Sequence, residues 1–503
     1  MDSRIIFGTG GVRGIMGDKP GLLNHAVIQK VTHGLAKVIL SSGAPKSAGI
    51  AYDTRNNSAE FAKTVCEVLS AFGIEAYCFD KTIPTPVLSF AIRHMGLGWG
   101  VCITASHNPR EYNGYKVYDC HGVQVTDGLA KAIAEVINSL DDSELIPAKR
   151  SELIKVFDSD VIEAYFKQVI DFVGVCEKPS DFSFVYSALH GAGANAVPFV
   201  LKSLGFSPVL VQQEADGDFG GLKTPNPEEP VVYEKALTEA DKAAAKLILA
   251  TDPDCDRVGV MVRTGNGFEL LNGNQIGALL IDYLFKLKNK INNNIVISTI
   301  VSGLLGELIS KDYGFEFVRL LTGFKYIGEY IVNLPDDNHF FFGYEESYGY
   351  LAGDGARDKD AVIASALIVK MAAFYDKMGM TLLDKWHELS EKYGYCLEAL
   401  HSFEVSQDRQ QEIMSALRSG EFNGVTKVED YKTGLKGLPS ADVIKLYFKN
   451  NDDTIDSDNW AAIRPSGTEP KLKVYVGVCA KTYKTAKTAL KTLTDKILLE
   501  LGV

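Results

Sequence analysis

The chain has 503 residues, of which 46% are hydrophobic and 23% charged, an ordinary globular composition that is too long for a single core. Its formal charge of −12 disfavours attraction to nucleic acid phosphate. No run approaches the roughly 18 apolar residues of a membrane span. The opening stretch, MDSRIIFGTGGVRG, lacks the apolar core of an export signal. The eight cysteines are scattered without a CxxC pair, which predicts reduced thiols and a cytoplasmic protein. A small anionic ligand would meet the same negative field, so its capture must come from local arginines, lysines and backbone amides.

In chain order, the Gly-rich GTGGVRG brings Arg13 on a loop that follows no strand of a βαβ unit, so it is no dinucleotide fingerprint. A first α/β unit then runs from the strand AGIAYDTR through a helix, the strand IEAYCFD, a Pro loop and a second helix, and ends in VCITASHNP. A second has the same rhythm, from FSFVYSALHGAG through PVLVQQ and the Pro loop TPNPEEP to KLILATDPDCDR. A third runs from NNIVISTIVSG through FEFVRLLTGFKYIG to HFFFGYEESYG. Strands alternating with helices predict mainly parallel sheets covered by helices, and the tail from about 396 reads as an α+β unit. Each of the three units delivers an unusual polar loop at the carboxyl end of its last strand, where ligands bind in open α/β sheets.

In TDPDCDR the acids Asp252, Asp254 and Asp256 alternate, so in extended chain they share one face. Three adjacent carboxylates repel unless a hard cation sits among them, and oxygen-only ligands suit Mg²⁺. An acidic turn capping a helix is the plain alternative. An EF-hand is excluded, because Arg257 and Arg263 stand where that loop needs Gly and Glu. Cys255 among these acids is a poor nucleophile.

In TASHNP, Ser106 lacks the glycines of a hydrolase elbow, and in extended chain the adjacent His107 points away from it. A serine that carries a transferable group remains, with Lys116 as a proton-transfer partner and His107 as a packing or orienting residue. In RPSGTEPK, Arg464 offers a bidentate fork, and Ser466, Gly467 and Thr468 offer hydroxyls and amides for an anion nest; a plain turn is the alternative. In GYEESYG, Glu345 and Ser347 share a face in extended chain and suit the vicinal hydroxyls of a sugar.

These four loops, in this order along the whole chain, resemble those of the α-D-phosphohexomutases: TASHNP the phosphoserine loop, DPDCDR the Mg²⁺ loop, GYEESYG the sugar loop and RPSGTEP the phosphate loop. YDTR, YNGYK, LHGAG, PNPEEP and TGFKYIG are further matches. The resemblance implies three similar α/β domains with mixed, mainly parallel sheets and a smaller C-terminal α+β domain around a central cleft, with expected boundaries 1–150, 151–270, 271–395 and 396–503. It implies that Ser106 carries the phosphoryl group and that Ser106, Asp252, Asp254 and Asp256 bind one Mg²⁺. Arg257 would lie beside the phosphoserine, with Arg13, Lys116 and His107 near the transferring group. Thr322, Gly323, Glu345 and Ser347 would hold the sugar, while Arg464, Ser466, Gly467 and Thr468 clamp the idle phosphate.

GYEESYG is similar to the Glu-Glu-Ser pattern of the phosphoglucomutase branch, and no His follows it to serve as an acid/base. That branch implies interconversion of glucose 1-phosphate and glucose 6-phosphate through glucose 1,6-bisphosphate. Phosphopentomutase or phosphomannomutase activity is the alternative. Beyond these stand a phosphatase-like enzyme and a non-catalytic sugar-phosphate binder. The expected partner is a small sugar phosphate, with no nucleic acid and no membrane, and the expected assembly is a monomer or homodimer.

Overall fold

Short apolar runs that precede the polar loops form strands buried along their whole length, as in sheets covered on both faces. The computed structural model describes residues 11–141, 146–175, 181–287, 293–420, 422–450, 458–465 and 471–503. Its first sheet contains β1 (Gly11–Ile15), β2 (Ser47–Tyr52), β3 (Glu75–Cys78), β4 (Trp99–Ile103), β5 (Tyr112–Tyr118) and β6 (Ile154–Val156), in the order β1-β5-β4-β2-β3-β6. Strands β2, β3, β4 and β6 run parallel, and β5 is antiparallel to both β4 and β1. The helix Thr85–Met95 beside β4 begins with Pro84 and Pro86 and ends on Gly96 at φ 65°, the usual proline-in, glycine-out pattern.

The second sheet contains β7 (Phe184–Ser187), β8 (Val209–Val211), β9 (Leu247–Thr251), β10 (Val258–Thr264) and β11 (Gly267–Leu271), in the order β11-β10-β9-β7-β8. Here β7 pairs in parallel with β8 and β9, while β10 is antiparallel to its neighbours. In both sheets the strand ending in a polar loop is followed at once by an antiparallel partner. A loop that short reverses the chain and leaves no room for a crossover helix, so both sheets are mixed.

Residues 1–273 and 324–381 form one compact unit, and residues 274–323 and 382–503 another. Compactness thus divides the chain differently from the four expected segments, and 271–395 is shared between the two units. In the first unit the strands His339–Tyr344 and Tyr350–Ala352 make an antiparallel hairpin. The helix Ala361–Asp376 is apolar on nearly every side and packs against Ser159–Val173 and Gly193–Ser203, as its composition requires.

In the second unit, Asn294–Thr299 pairs in parallel with Glu316–Leu320. A five-stranded antiparallel sheet follows, ordered Tyr395–Glu404, Lys471–Ala480, Asn459–Pro465, Ile444–Phe448 and Val425–Asp430, with the helices Gln407–Ser419 and Tyr483–Leu501 packed on it. The expectation of thiols throughout needs correcting here. Cys396 stands directly opposite Cys479 across this sheet, and the two form a disulfide. They are 83 residues apart and meet only when the first and last strands of the sheet pair, a proximity that cysteine spacing does not encode. Among the described residues, no helix is long and apolar enough to cross a membrane.

Candidate active site

The acidic segment after β9 is a tight turn. Cys255 adopts φ 53°, and its N–H donates to Asp252 O at 2.9 Å. The alternation expected of an extended segment is therefore replaced by a coil, and coiling is what gathers the acids. Ligand oxygens of Asp252, Asp254 and Asp256 lie within 4.8 Å of one another, the one such cluster among the described residues. All three side chains are buried. Asp252 Oδ1 braces the turn by accepting the N–H groups of Asp256 (3.1 Å) and Arg257 (2.9 Å).

Two neighbours hold the turn from outside. Ala192 N donates to Pro253 O at 2.8 Å, and the adjoining Gly191 admits no side chain, since a Cβ there would stand 2.6 Å from Pro253 Cα. The first residue of the helix Thr85–Met95 donates its N–H to Asp254 O (2.9 Å) and its hydroxyl to Asp254 Oδ2 (3.1 Å). The partial positive charge of that helix end thereby faces a carboxylate.

Cations meet the remaining charge. Lys116, on β5, places Nζ 2.7 Å from Asp254 Oδ2 and 3.2 Å from Asp256 Oδ2. Lys359 Nζ lies 3.1 Å from Asp256 Oδ2 and 3.1 Å from Asp358 Oδ1. Burial pushes the Asp252 carboxyl up, and Asp254 and Asp256 reinforce it. Burial acts the same way on Asp254, but the Lys116 ammonium overrides it and holds that carboxyl below the usual range. Asp254 Oδ1 and Asp256 Oδ1 are buried and accept no hydrogen bond. Buried, oxygen-only donors with two oxygens free of hydrogen bonds fit a hard divalent cation such as Mg²⁺.

Ser106 is 3% exposed, takes φ 53° and donates from Oγ to Asp252 Oδ2 at 2.9 Å. The expectation that His107 points away is overturned. The left-handed turn at Ser106 swings the next side chain round, and His107 Nδ1 lies 3.3 Å from Ser106 Oγ. Arg13, opposite Gly114 on β1, donates from Nη1 to Asn108 Oδ1 at 3.0 Å. Arg257 extends to Glu228 Oε1 at 3.1 Å, with Nε 3.8 Å from Asp256 Oδ1.

Glu345 and Ser347 fall in the hairpin turn between His339–Tyr344 and Tyr350–Ala352, so they do not share a face of extended chain as expected. Glu345 is 5% exposed, and its N–H donates to Gly349 O at 2.9 Å. This hairpin is joined to the acidic turn: Val258 N donates to Tyr348 O at 3.1 Å, and Arg257 bridges Gly349. Gly349 leaves the path of Lys359 open, since a Cβ there would stand 2.2 Å from Lys359 Cδ.

In the second unit, Thr322 and Gly323 directly precede the helix Phe324–Val332, with Gly323 at φ 123°. Arg464 lies near the end of Asn459–Pro465, directly opposite Lys473. Ser466, Gly467 and Thr468 lie outside the described residues. Four side chains at the first unit's site had no role from sequence: Lys359, Arg55, Glu228 and Thr85. Arg55 and Glu228 belong to quoted stretches (YDTR and PNPEEP) and Thr85 to the Pro loop of the first α/β unit, while Lys359 stands in the charged run RDKD just ahead of an apolar helix.

Models of one family's four domains match the chain in order. They are described as phosphoglucomutase/phosphomannomutase, alpha/beta/alpha domain I over residues 4–144, domain II over 163–265, domain III over 272–393 and C-terminal domain over 420–492. The chain belongs to the phosphoglucomutase/phosphomannomutase family. Within it, the chain is similar to the phosphoglucomutase of Staphylococcus epidermidis, 38% identical over 507 residues that cover 95% of this chain and 91% of that protein. The open form of the Paramecium phosphoglucomutase parafusin shares the fold, with a TM-score of 0.76 and 18% identity over 99% of this chain and 94% of that one. So does an Aspergillus fumigatus N-acetylphosphoglucosamine mutase solved with GlcNAc-6P and magnesium, with a TM-score of 0.56 and 16% identity over 99% and 96%.

Proposed function

We propose that this member of the family interconverts glucose 1-phosphate and glucose 6-phosphate, with Ser106 as the phosphoryl carrier and glucose 1,6-bisphosphate as the intermediate. The observation that carries the reading is the approach of Ser106 Oγ to Asp252 at 2.9 Å, inside the buried carboxylate cluster. Likeness to phosphoglucomutases over 95% of the chain supports the substrate.

In the forward half-reaction the phosphoserine P–O bond breaks as a P–O bond to the free sugar hydroxyl forms, giving the bisphosphate, and the hydroxyl's proton ends on the freed Ser106 Oγ, which His107 Nδ1 faces at 3.3 Å. After the sugar turns round, its other phosphoryl group returns to Ser106. Ser106 Oγ must then lose its proton, and His107 Nδ1 at 3.3 Å is placed to receive it. Lys116 is engaged by two carboxylates, which suits it to offset charge rather than to carry protons. Arg257 and Lys359 add positive charge beside Asp256, and Arg13 adds it at Asn108, two residues after Ser106.

Asp252, Asp254 and Asp256, with the Ser106 oxygen, would hold one Mg²⁺, which when bound supplies Lewis-acid stabilisation of the phosphoryl oxygens. Glu345, Ser347, Thr322 and Gly323 read the sugar, and Arg464 with Ser466, Gly467 and Thr468 holds the idle phosphate. The four functional loops belong to segments 1–150, 151–270, 271–395 and 396–503, in a cytoplasmic monomer or homodimer.

The test is turnover of glucose-, mannose- and ribose-1-phosphate, each primed with its bisphosphate and Mg²⁺, with labelled phosphate followed. Retention of label on glucose supports the mutase. Steady release of inorganic phosphate would make it a hydrolase, and a higher kcat/KM for ribose or mannose would move the substrate.

A further inference from the structure

The Ser106 turn is held by residues about fifty positions earlier in the chain. Four backbone carbonyls around it converge on Arg55. Nη2 donates to Ser106 O (2.5 Å) and Asn108 O (2.6 Å), and Nη1 donates to Pro109 O (2.9 Å) and Tyr112 O (3.0 Å). Nε faces Asp53 Oδ2 at 3.3 Å, with both side chains wholly buried. The guanidinium stands over the Phe219 ring, 5.1 Å from its centroid. The two terminal nitrogens thus hold four carbonyls while Nε keeps an ion pair, a set no lysine could reproduce.

The Ser106 amide is held separately, its N–H donating to Thr104 Oγ1 at 2.8 Å. Asp53 is itself fixed by Ser58 Oγ and the Arg55 N–H, which donate to its Oδ1 at 2.7 Å and 3.0 Å. Both polar groups of the Ser106 backbone are therefore held by side chains, the amide by Thr104 and the carbonyl by Arg55, which Asp53 in turn anchors. A left-handed φ is unfavourable for a residue with a Cβ, so something must hold it there.

We propose that Asp53, Arg55 and Thr104 form a clamp that fixes Ser106 in its left-handed conformation and so aims Oγ at Asp252 for phosphoryl transfer. They are positioning residues, and the inference rests on Ser106 as the carrier. Because reacting atoms must be aligned closely, loosening the clamp slows transfer while leaving the sugar loop untouched.

The test uses the full chain primed with glucose 1,6-bisphosphate, comparing Arg55→Lys, Thr104→Val and Thr104→Ser with wild type. Intact mass follows loss of the serine phosphate on mixing with glucose 1-phosphate, alongside kcat, KM and Tm. Thr104→Val, which keeps shape but loses the hydroxyl, is expected to slow transfer about 10- to 100-fold with KM changed less than about threefold. Thr104→Ser should restore the rate, whereas Arg55→Lys should stay about 100-fold slow despite keeping its charge. A purely structural role would move Tm and leave transfer per folded molecule unchanged, and that result overturns the clamp. If Arg55→Lys does not fold, the Thr104 pair decides. Ser106→Ala separates the two ideas: full turnover by that variant sinks the carrier, while its inactivity beside fast Thr104→Val and Arg55→Lys enzymes sinks the clamp alone.

Discussion

The turn after β4 and the turn after β9 have the same outline and opposite electrostatics. Each follows a fully buried strand, and each passes through a non-glycine residue at φ 53°, Ser106 in one and Cys255 in the other. The serine turn points carbonyl oxygens inward and is gathered by a cation from behind, Arg55. The aspartate turn points amides inward and is gathered by its own anion, Asp252. A backbone that bunches acceptors needs a buried guanidinium, and one that bunches donors needs a carboxylate. The serine turn is therefore assembled from distant sequence, while the aspartate turn largely carries its own brace.

The largest effect should come from removing the group that faces from one turn to the other. Ser106→Ala should lower turnover on the order of a thousandfold or more, and intact mass should show no phosphate on the protein. Phosphate that persists on the variant would place the carrier elsewhere. Next, Asp254→Asn removes charge without touching the brace, since Asp252 makes both turn-closing bonds. Titration calorimetry with Mg²⁺ should show affinity down at least about 10- to 100-fold with Tm nearly unchanged. Asp252→Ala should instead cost about 2 kcal/mol of stability by orphaning buried amides. Equal Tm losses in the two variants would erase the distinction between brace and ligand.

The hairpin bearing Glu345 should be felt less. Glu345→Ala is expected to reduce kcat/KM for glucose 1-phosphate about 10- to 100-fold while phosphate loading of Ser106 stays normal. Impaired loading would mean that this residue serves the carrier rather than the sugar.

The smallest effect tests the anion-brace idea at a second place. Asp360 accepts the N–H groups of Val362 and Ile363, and burial pushes its carboxyl up to about 6 against those bonds. A carboxyl that holds its proton more tightly folded than unfolded stabilises fully at low pH and loses that contribution as pH rises through about 6. Denaturant midpoints of wild type, referenced to Asp360→Asn, should therefore decline gently from about pH 4 to 6 and level off above. A rise over that window would reverse the sign and refute the assignment.

Much of this architecture was legible in the sequence, because apolar runs ending in polar loops mark the strands whose carboxyl ends meet. Residue type and spacing single out the acids of TDPDCDR and the serine of TASHNP, and the fold brings these into contact. Conformation was where the reading failed. Alternation predicts extended chain in all three loops, yet each is a tight turn. The acids converge anyway, while His107 comes to the opposite side from the one expected. Left-handed φ at Ser106 and Cys255 carries no local signal, since neither is glycine or asparagine and tertiary bonds impose it. Lys359, Arg55 and the Cys396–Cys479 bridge escaped for the same reason, each being defined by a partner that only folding brings near.

Gly349 sets a limit on how such an enzyme can diversify. The missing Cβ there lets Lys359 run beneath the hairpin to Asp256, and the same few residues are stitched to Arg257 and Val258. The segment that would recognise the sugar and the segment that manages the charge are thus one mechanical piece. A lineage that reshaped this hairpin for another sugar would shift Arg257 and Lys359 along with Glu345, so new preference would arrive together with slower chemistry. Sequence change should therefore accumulate away from the GYEESYG turn, and an engineer seeking a new substrate should vary groups that touch the ligand but not this seam.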